Sequence, residues 1–346
     1  MVGISIKDVA LEAGVSKTTV SAVINNLPCV KPMTRARVLD AIERTGYRPN
    51  IAARELITRQ KQNIGIVNLV YDVQFDSNKS FFDTMVESNY YDITAVIMSE
   101  VSKTRYGLLI ERAQLSPDSR ALPEFIKTDS VAGVFLIGSV FPEQYIERIR
   151  AYIDNVVVVG NHSDITDCVR NDYVQSAYSA VHFLIKHGHR RIGFVNGDPF
   201  SAASPDKLTG YRMALDDGGI PFDERLIDSA PFTGRGGYDA FQRVWNRCEE
   251  KPTAMFFSTD ELAAGAARYM YEQGIRIPDQ VSVMGFEDSA LAEFMTPPLT
   301  TIRRNKHRLG YEACRLLFDK IENPNRERQL SIVPYSIVER NSVRTL

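Results

Sequence analysis

The first fifty residues contain three short segments in which apolar side chains recur at the spacing of one helix face. These segments hold Ile6, Val9, Ala10 and Ala13; Val20, Val23 and Ile24; and Val38, Ala41 and Ile42. The expected N-caps are Ser5 (with Asp8 in a capping box), Ser16 and Thr34, and the expected stop of the third helix is Gly46. Because Gly14 interrupts the pattern between the first two helices, the segment predicts a helix-turn-helix unit.

The second predicted helix has an outer face without acidic side chains. When its apolar residues are turned inward, that face consists of Lys17, Thr18, Ser21, Ala22 and Asn25. A helix that enters the DNA major groove needs short groups that reach base edges and phosphates without repelling them. An ordinary solvated helix face usually includes Glu or Asp, so the pattern favours DNA recognition.

A short segment after Asn50 allows two interpretations. Asn50 can cap a helix of only two turns, which is too short to be stable alone in water. If that helix pairs with a symmetry-related copy in a minor groove, Leu56 becomes a wedge that partly unstacks a base step. The alternative is a disordered linker.

From Asn63 onward, apolar runs typical of buried strands alternate with amphipathic stretches typical of helices. The predicted strands are 64–71, 93–98, 131–137, 156–159, 192–195, 254–257, 281–284 and about 332–338, and the predicted helices include 174–186 and 261–273. This alternation predicts an α/β fold with parallel sheets covered on both faces. The strands are too many for one compact unit, so we expect two doubly wound subdomains. Residues 234–237 are glycine-rich but lack the spacing of a phosphate-binding loop and are interpreted as a plain loop.

Charge is distributed unevenly along the chain. The formal net charge is −2 over 346 residues, but residues 1–62 hold ten Lys or Arg and five Asp or Glu, a net of +5. The remainder therefore carries −7. A basic end on an acidic body favours a protein that presents one face to a polyanion.

Other features argue against export, metal binding and catalysis. The four cysteines are far apart without a CxxC motif, as in a reduced cytoplasmic protein. The N-terminus lacks an apolar signal core, and the longest apolar stretch, 131–141, is too short to span a membrane. His187 and His189 flank one glycine and indicate a turn instead of a metal site. We expect no metal, no cofactor and no enzyme activity, because no nucleophile–base arrangement stands out.

The residues from Ile6 to Asn25 and from Tyr47 to Leu56 closely resemble the headpiece of the LacI/GalR (lactose/galactose repressor) family. The resemblance implies that Lys17, Thr18 and Ala22 read bases in the major groove. It implies phosphate contacts by Ser5, Ser16, Ser21, Asn25, Lys31, Thr34 and Tyr47, and minor-groove contacts by Asn50, Ala53 and Leu56. Many members carry Arg where this chain has Ala22, so the operator should differ at the base pair that this Arg would contact.

The resemblance continues through the body, with landmarks at 171–172, 187–194, 208–211, 251–254, 259–260, 277–286 and 298–301. It implies an all-α headpiece (1–49), a hinge helix and linker (50–62) and a periplasmic-binding-protein-like body. Within the body we expect an N-subdomain of 63–161 plus 293–324 and a C-subdomain of 162–292 plus 325–346, with a small-molecule effector in the cleft between them.

Polar residues at predicted strand ends are candidates for effector binding, because ligands of open α/β sheets sit at those ends. They are Tyr71, Asp72, Asn161, Asp260 and Glu287, and the resemblance adds Lys207 and Phe232. Sugar-binding members often have Arg in place of Lys207 and usually Asp in place of Glu287, which changes the polar groups offered to a sugar. The alternative is that Lys207 and Glu287 form a plain surface ion pair.

The sequence as a whole favours a ligand-responsive repressor of carbohydrate-metabolism genes. One headpiece reads only a few base pairs, so we expect a homodimer on a palindromic double-stranded DNA operator. A transport binding protein would need an export signal and would leave residues 1–60 without a function. A nucleotide-dependent enzyme would need a phosphate-binding motif.

Overall fold

The computed structural model describes residues 4–24, 27–47, 61–71, 88–115, 122–138, 142–198, 201 and 203–346. They fall into two units, Met1–Lys61 and Gln62–Leu346. The first unit holds helices α1 (Ile6–Glu12), α2 (Lys17–Ile24) and α3 (Pro32–Thr45). Its core consists of the predicted inward residues, among them Val9, Val20, Val23, Val38 and Ala41.

Side-chain hydrogen bonds fix the starts of the first two helices. The amide and the hydroxyl of Ser5 both donate to the Asp8 carboxylate at 2.8 Å, which confirms the capping box. The hydroxyl of Ser16 accepts a hydrogen bond from the amide of Thr19 at 3.1 Å, which confirms Ser16 as the cap of α2. Both helices therefore begin where the sequence predicts.

The third helix begins earlier than expected. Thr34 as its N-cap is wrong, because α3 starts at Pro32 and Thr34 lies in the first turn. Proline suits the first helical position, where its fixed φ is helical and its missing N–H costs nothing. Gly46 ends α3 with φ of 66°, a left-handed conformation that glycine adopts without strain.

The second unit alternates strands and helices. The elements are β1 (Asn63–Tyr71), α4 (Ser88–Ser102), β2 (Gly107–Leu115), α5 (Glu124–Lys127), β3 (Gly133–Gly138), α6 (Glu143–Arg150), β4 (Val156–Val159), β5 (Asp167–Asn171), α7 (Tyr173–Lys186), β6 (Ile192–Asn196), α8 (Ala203–Asp217), β7 (Ile227–Ser229), α9 (Gly234–Arg247), β8 (Ala254–Phe257), α10 (Asp260–Glu272), β9 (Ser282–Glu287), α11 (Ala290–Phe294), β10 (Thr300–Arg304), α12 (Lys306–Glu322), β11 (Leu330–Val333) and β12 (Tyr335–Val338).

The strands form two six-stranded sheets, as the expected fold requires. The first sheet has the order β2-β1-β3-β4-β5-β11 and the second the order β7-β6-β8-β9-β10-β12. All pairings are parallel except that of β12 with β10. In each sheet the winding direction reverses at one place, between β1 and β3 and between β6 and β8.

Helices cover both faces of each sheet. In the first sheet, α4 and α12 pack on one face through Ile97 and Leu317, and α6 packs on the other through Ile149. In the second sheet, α7 and α8 cover one face, and α9 and α10 cover the other. Within the described ranges, no helix combines the length and the apolar content that crossing a bilayer requires.

The expected subdomain boundaries are wrong for three strands. Each of them pairs in the other sheet from the one that we expected. The range 162–292 was expected in the C-subdomain, yet β5 pairs in the first sheet. The ranges 293–324 and 325–346 contain β10 and β11, which pair in the second and the first sheet respectively. The chain therefore passes between the sheets after Asn171, Arg304 and Val333. Strand pairing decides this membership, and strands of four or five residues carry too little pattern to reveal their neighbours.

Four further expectations about local structure need correction. The run 93–98 is part of helix α4, where Ile93, Ile97 and Val101 are buried at helical spacing. The strands β2, β5, β7 and β10 were not predicted. The single strand expected at 332–338 is two strands in different sheets, separated by Pro334. Residues 234–237 form the first turn of α9, where a side chain at Gly237 would collide with the backbone of α10.

Candidate functional site

The outer face of α2 is open to solvent and carries no acid. Lys17 and Thr18 are exposed, Ser21 and Ala22 are half-buried, and the intervening Val20 is turned into the core. We call Lys17, Thr18, Ser21 and Ala22 the recognition face. Their small or polar side chains can approach base edges in a DNA groove without repelling phosphates. The predicted contact Asn25 lies outside the described residues.

The cations of the first unit divide into paired and unpaired ones. Arg44 forms ion pairs with Glu12 and with Asp40, both at 2.8 Å. Lys17 and Lys31 are exposed and take part in no ion pair within the described part of this unit. Phosphates can therefore approach these lysines without disrupting an existing ion pair.

The remaining predicted DNA contacts of this unit lie near helix ends. Ser5 and Ser16 precede α1 and α2, Thr34 lies in the first turn of α3, and Tyr47 follows α3 and packs partly on the core. The hydrogen bonds from Ser5 hold the pKa of the Asp8 carboxyl below its usual value. Backbone N–H groups at helix starts are suited to phosphate. The predicted minor-groove contacts Asn50, Ala53 and Leu56 lie outside the described residues.

A second candidate site lies in the second unit, where strands of both sheets end. Arg304, the last residue of β10, donates from Nε to the side-chain oxygen of Asn171 at the end of β5, at 3.0 Å. The hydroxyl of Tyr173 donates to the carbonyl of Gly160, just after β4, at 2.8 Å. The carboxyl ends of the two sheets therefore face each other, and we call the space between them the cleft. Ligands of such folds bind at these ends, where the strand order reverses.

Lys207 is buried in the cleft among aromatic rings. It is 3% exposed, and its Nζ donates to the carbonyl of Ser258 at 2.7 Å. The same Nζ lies 4.0 Å from the ring centre of Phe286 and 5.5 Å from that of Tyr173. Burial lowers the pKa of Lys207 to about 7, because the charged form loses its hydration.

Glu287 ends β9, directly after Phe286. It is 7% exposed, its backbone φ is 116°, and Nη1 of Arg304 lies 3.4 Å from its carboxylate. Burial raises the pKa of Glu287 to about 8. The surface ion-pair interpretation of Lys207 and Glu287 is wrong, since both side chains are buried. A positive φ at a residue other than glycine is typical of positions held in place for function.

The carboxylate of Asp260 accepts two hydrogen bonds from other parts of the protein. Its Oδ1 accepts from the hydroxyl of Thr301 at 2.6 Å, and its Oδ2 accepts from the amide of Ser289 at 2.7 Å. Burial raises the pKa of this carboxyl to about 7. Asp260 thereby ties the start of α10 to the segment that follows Glu287, and it positions the cleft wall.

The other predicted effector contacts lie around the same edge. Asn161 follows β4 and is buried, and its side-chain oxygen accepts from the amide of His162 at 2.9 Å. Phe232 is half-buried and packs against Gly197 directly after β6, so closely that a side chain at Gly197 would overlap the ring. Tyr71 ends β1. Asp72 lies outside the described residues.

Sequence reasoning missed three groups that contribute to the cleft: Arg304, Tyr173 and the serines Ser204 and Ser258. Arg304 ends β10, whose first three residues are buried and whose fourth, Arg303, is exposed, and Arg304 is itself only 4% exposed. A cation at the end of a parallel strand was the available signal for it. Tyr173 directly follows the family landmark at 171–172. The serines carry no signal that distinguishes them from other serines of the chain.

Comparisons with known proteins identify both units. Residues 5–50 match the family described as bacterial regulatory proteins, lacI family, and residues 181–343 match the periplasmic binding protein-like domain. The PurR transcriptional repressor of Edwardsiella ictaluri (strain 93-146) is 31% identical over 348 residues, which cover 98% of this chain and 96% of that protein. The chain belongs to the LacI family of bacterial regulatory proteins.

Further relatives and solved structures agree with this assignment. Catabolite control protein A of Priestia megaterium is 29% identical to this LacI-family chain over 347 residues, 99% of each protein. A structure of the regulator CelR with cellobiose has a TM-score of 0.72 at 26% identity, covering 98% of this chain and 99% of CelR. The Lac repressor dimer bound to operator has a TM-score of 0.82 at 22% identity, covering 99% of both, and shows the same fold. This LacI-family chain is a regulatory protein and not an enzyme.

Proposed function

We propose that this LacI-family chain is a ligand-responsive transcriptional repressor that binds a palindromic DNA operator as a homodimer. The observation that carries the proposal is the recognition face of α2, which is acid-free and consists of two exposed and two half-buried residues. Unpaired Lys17 and Lys31 add charge that attracts phosphates. The proposed base-reading residues are Lys17, Thr18 and Ala22, with further contacts from the other predicted positions of the headpiece and linker. The protein would act in the cytoplasm.

Exposed apolar residues of the second unit support the proposed homodimer. Leu291 and Phe294 on the short helix α11 are 41% and 80% exposed, and Tyr271 at the end of α10 is 83% exposed. Large apolar side chains in water favour association, and a symmetric pair of subunits would bury the same residues on both copies. Two headpieces would then read two half-sites of one palindrome.

The cleft supports the proposal that a small molecule controls the repressor. Buried polar groups from both sheets meet there, and a ligand that prefers one spacing of the sheets would shift the protein towards that state. The similarity to CelR, which was solved with cellobiose, supports a sugar or sugar derivative as effector and carbohydrate-metabolism genes as targets. The proposed effector contacts include Lys207, Phe232 and Glu287.

Selection of bound DNA from a random pool, followed by sequencing, tests the proposal. We expect enrichment of a palindrome whose half-sites are bound by one dimer, confirmed by gel shift with a scrambled palindrome as control. Recovered DNA without a shared sequence would contradict specific operator binding. A single unrepeated half-site, together with monomer in sedimentation at the same concentration, would contradict the homodimer.

A further inference from the structure

Three polar residues gather where the strand order of the second sheet reverses. Ser204 and Lys207 are three residues apart, on one face of the first turns of α8. The side-chain amide of Asn196, at the end of β6, donates to the carbonyl of Ser204 at 2.9 Å, and the amide of Ser258, after β8, donates to the carbonyl of Val195 at 3.0 Å. Together with the bond from Lys207 to Ser258, these contacts unite Ser204, Lys207 and Ser258, which we call the donor cluster.

The donor cluster has unused hydrogen-bonding capacity. The hydroxyls of Ser204 and Ser258 are buried, with 2% and 0% exposure of the residues, and neither has a partner in the described ranges of the chain. Lys207 donates to one carbonyl and forms no ion pair with any described residue. Leaving buried polar groups unsatisfied is energetically costly, so the cluster is suited to a ligand that supplies acceptors.

The carboxylates whose charge acts on Lys207 are committed to other donors. Asp206, in the first turn of α8, pairs with Arg170 at 3.1 Å. Asp260 accepts from Thr301 and Ser289, and Glu287 is paired with Arg304. The start of α8 also places the positive end of a helix beside the donor cluster. The local groups that remain for a ligand are therefore a cation, two hydroxyls and a helix N-terminus, a combination that favours a negative charge.

We propose that the donor cluster binds a carboxylate or phosphate group of the effector, so that the effector of this regulator is an anion. The inference rests on the proposed function, because it assigns a chemical class to the proposed ligand. Lys207 pairs with the anionic group, and the hydroxyls of Ser204 and Ser258 donate to its oxygens. The ion pair with Arg304, at 3.4 Å, offsets the charge of the Glu287 carboxylate beside the ligand.

Thermal unfolding of the full chain tests the inference with inorganic phosphate and acetate as separate probes, each compared with chloride at equal ionic strength. We expect at least one probe to raise the unfolding midpoint by about 2 °C or more for each tenfold excess over its dissociation constant. The rise should vanish in Lys207→Met and shrink in Ser258→Ala. It should persist in Lys186→Met, which removes an exposed lysine of α7 and controls for anions bound elsewhere. If Lys207→Met does not fold, the double variant Ser204→Ala/Ser258→Ala takes its place.

A response to phosphate alone assigns a phosphoryl group, and a response to acetate assigns a carboxylate. The inference is overturned if neither probe raises the midpoint above chloride, or if the rise persists unchanged without Lys207. Operator binding measured on the same preparation separates this failure from that of the proposed function. Specific DNA binding without an anion response refutes only the anionic effector, whereas an anion response without specific DNA binding refutes the repressor.

Discussion

The recognition face and the cleft use similar side chains in opposite surroundings. Lys17 and Thr18 stand in water on α2, whereas Lys207 and Ser258 are buried among aromatic rings and strand ends. An exposed cation attracts any polyanion but is screened by salt. A buried cation interacts more strongly, yet it is stable only if its partner matches it closely. The exposed arrangement suits binding to a long polyanion such as DNA. The buried arrangement suits selective binding of one small molecule.

The largest expected difference is in the free energy of unfolding, between a variant of the buried carboxylate Asp260 and one of the exposed carboxylate Asp279. Asp260→Ala leaves the buried donors of Ser289 and Thr301 without an acceptor, so the free energy of unfolding should fall by about 3 kcal/mol. The matched control Asp279→Ala removes an exposed partner of Arg276 and should cost less than about 0.5 kcal/mol. Denaturant unfolding measures both. Equal losses would show that burial does not distinguish them.

A negative charge on the recognition face should have the next largest effect. Thr18→Asp should weaken specific operator binding about 100-fold, roughly 2.7 kcal/mol, because it loses a base contact and repels phosphates. Leu39→Asp adds the same charge at an exposed position of α3 and should weaken binding far less. Gel shifts on the selected operator compare the two variants. If Leu39→Asp is as damaging, general repulsion explains the result and α2 has no special role.

The buried acid Glu287 should make stability depend on pH. Its pKa is raised from 4.5 to about 8 in the folded protein, so the folded state holds this proton more tightly than the unfolded state. Stability from this group is complete below the unfolded pKa and is lost as pH rises through the folded pKa. Lys207 has the opposite sign, since its lowered pKa removes stability as pH falls from 10.5 towards about 7. Below about pH 7 the effect of Glu287 therefore dominates.

Glu287→Gln should reduce the fall in unfolding free energy between about pH 5 and about pH 7 by about 1 kcal/mol. Denaturant unfolding at the two pH values measures this change. Glu249→Gln changes an exposed residue and should keep the pH dependence of the unchanged protein. A pH dependence that survives Glu287→Gln intact would assign it to other groups, with Asp260 first among them.

The smallest expected effect is on the salt dependence of DNA binding. It should differ between paired and unpaired cations of the first unit. Lys17→Ala should reduce the slope of log binding constant against log salt by about one, because one phosphate contact is lost. Arg44→Ala should leave the slope nearly unchanged, since Arg44 is paired with Glu12 and Asp40. Titrations at several salt concentrations give both slopes. Equal reductions would mean that the unit acts through its net charge alone.

The sequence predicts best what depends on local pattern. The capping box of Ser5 and Asp8, the cap at Ser16 and the stop at Gly46 follow from neighbouring residues, and the structure confirms them. Most strands of the body were predicted because they are continuous apolar runs. The run 93–98 was mistaken for a strand because so short a run fits either structure, and only its packing in α4 decides.

Features that depend on distant pairing could not be predicted. Arg304 and Asn171 are far apart in the chain and meet only because β10 and β5 end at facing edges. The sheet membership of β5, β10 and β11 depends on their neighbours and not on their own residues. The burial of Lys207 and Glu287 likewise follows from the packing of α8 and β9, so sequence alone left a surface pair as an open alternative.

Only Pro334 separates β11 from β12, and this short connection limits how the protein can be divided into fragments. The two strands lie at the edges of different sheets, so deleting 330–346 would remove a border strand from both halves of the body at once. Each half is also assembled from separate stretches of chain, and neither can be excised as one continuous fragment. Engineers who exchange modules between regulators can transplant 62–346 whole, but a chimaera joined inside the body would have to match all three passages.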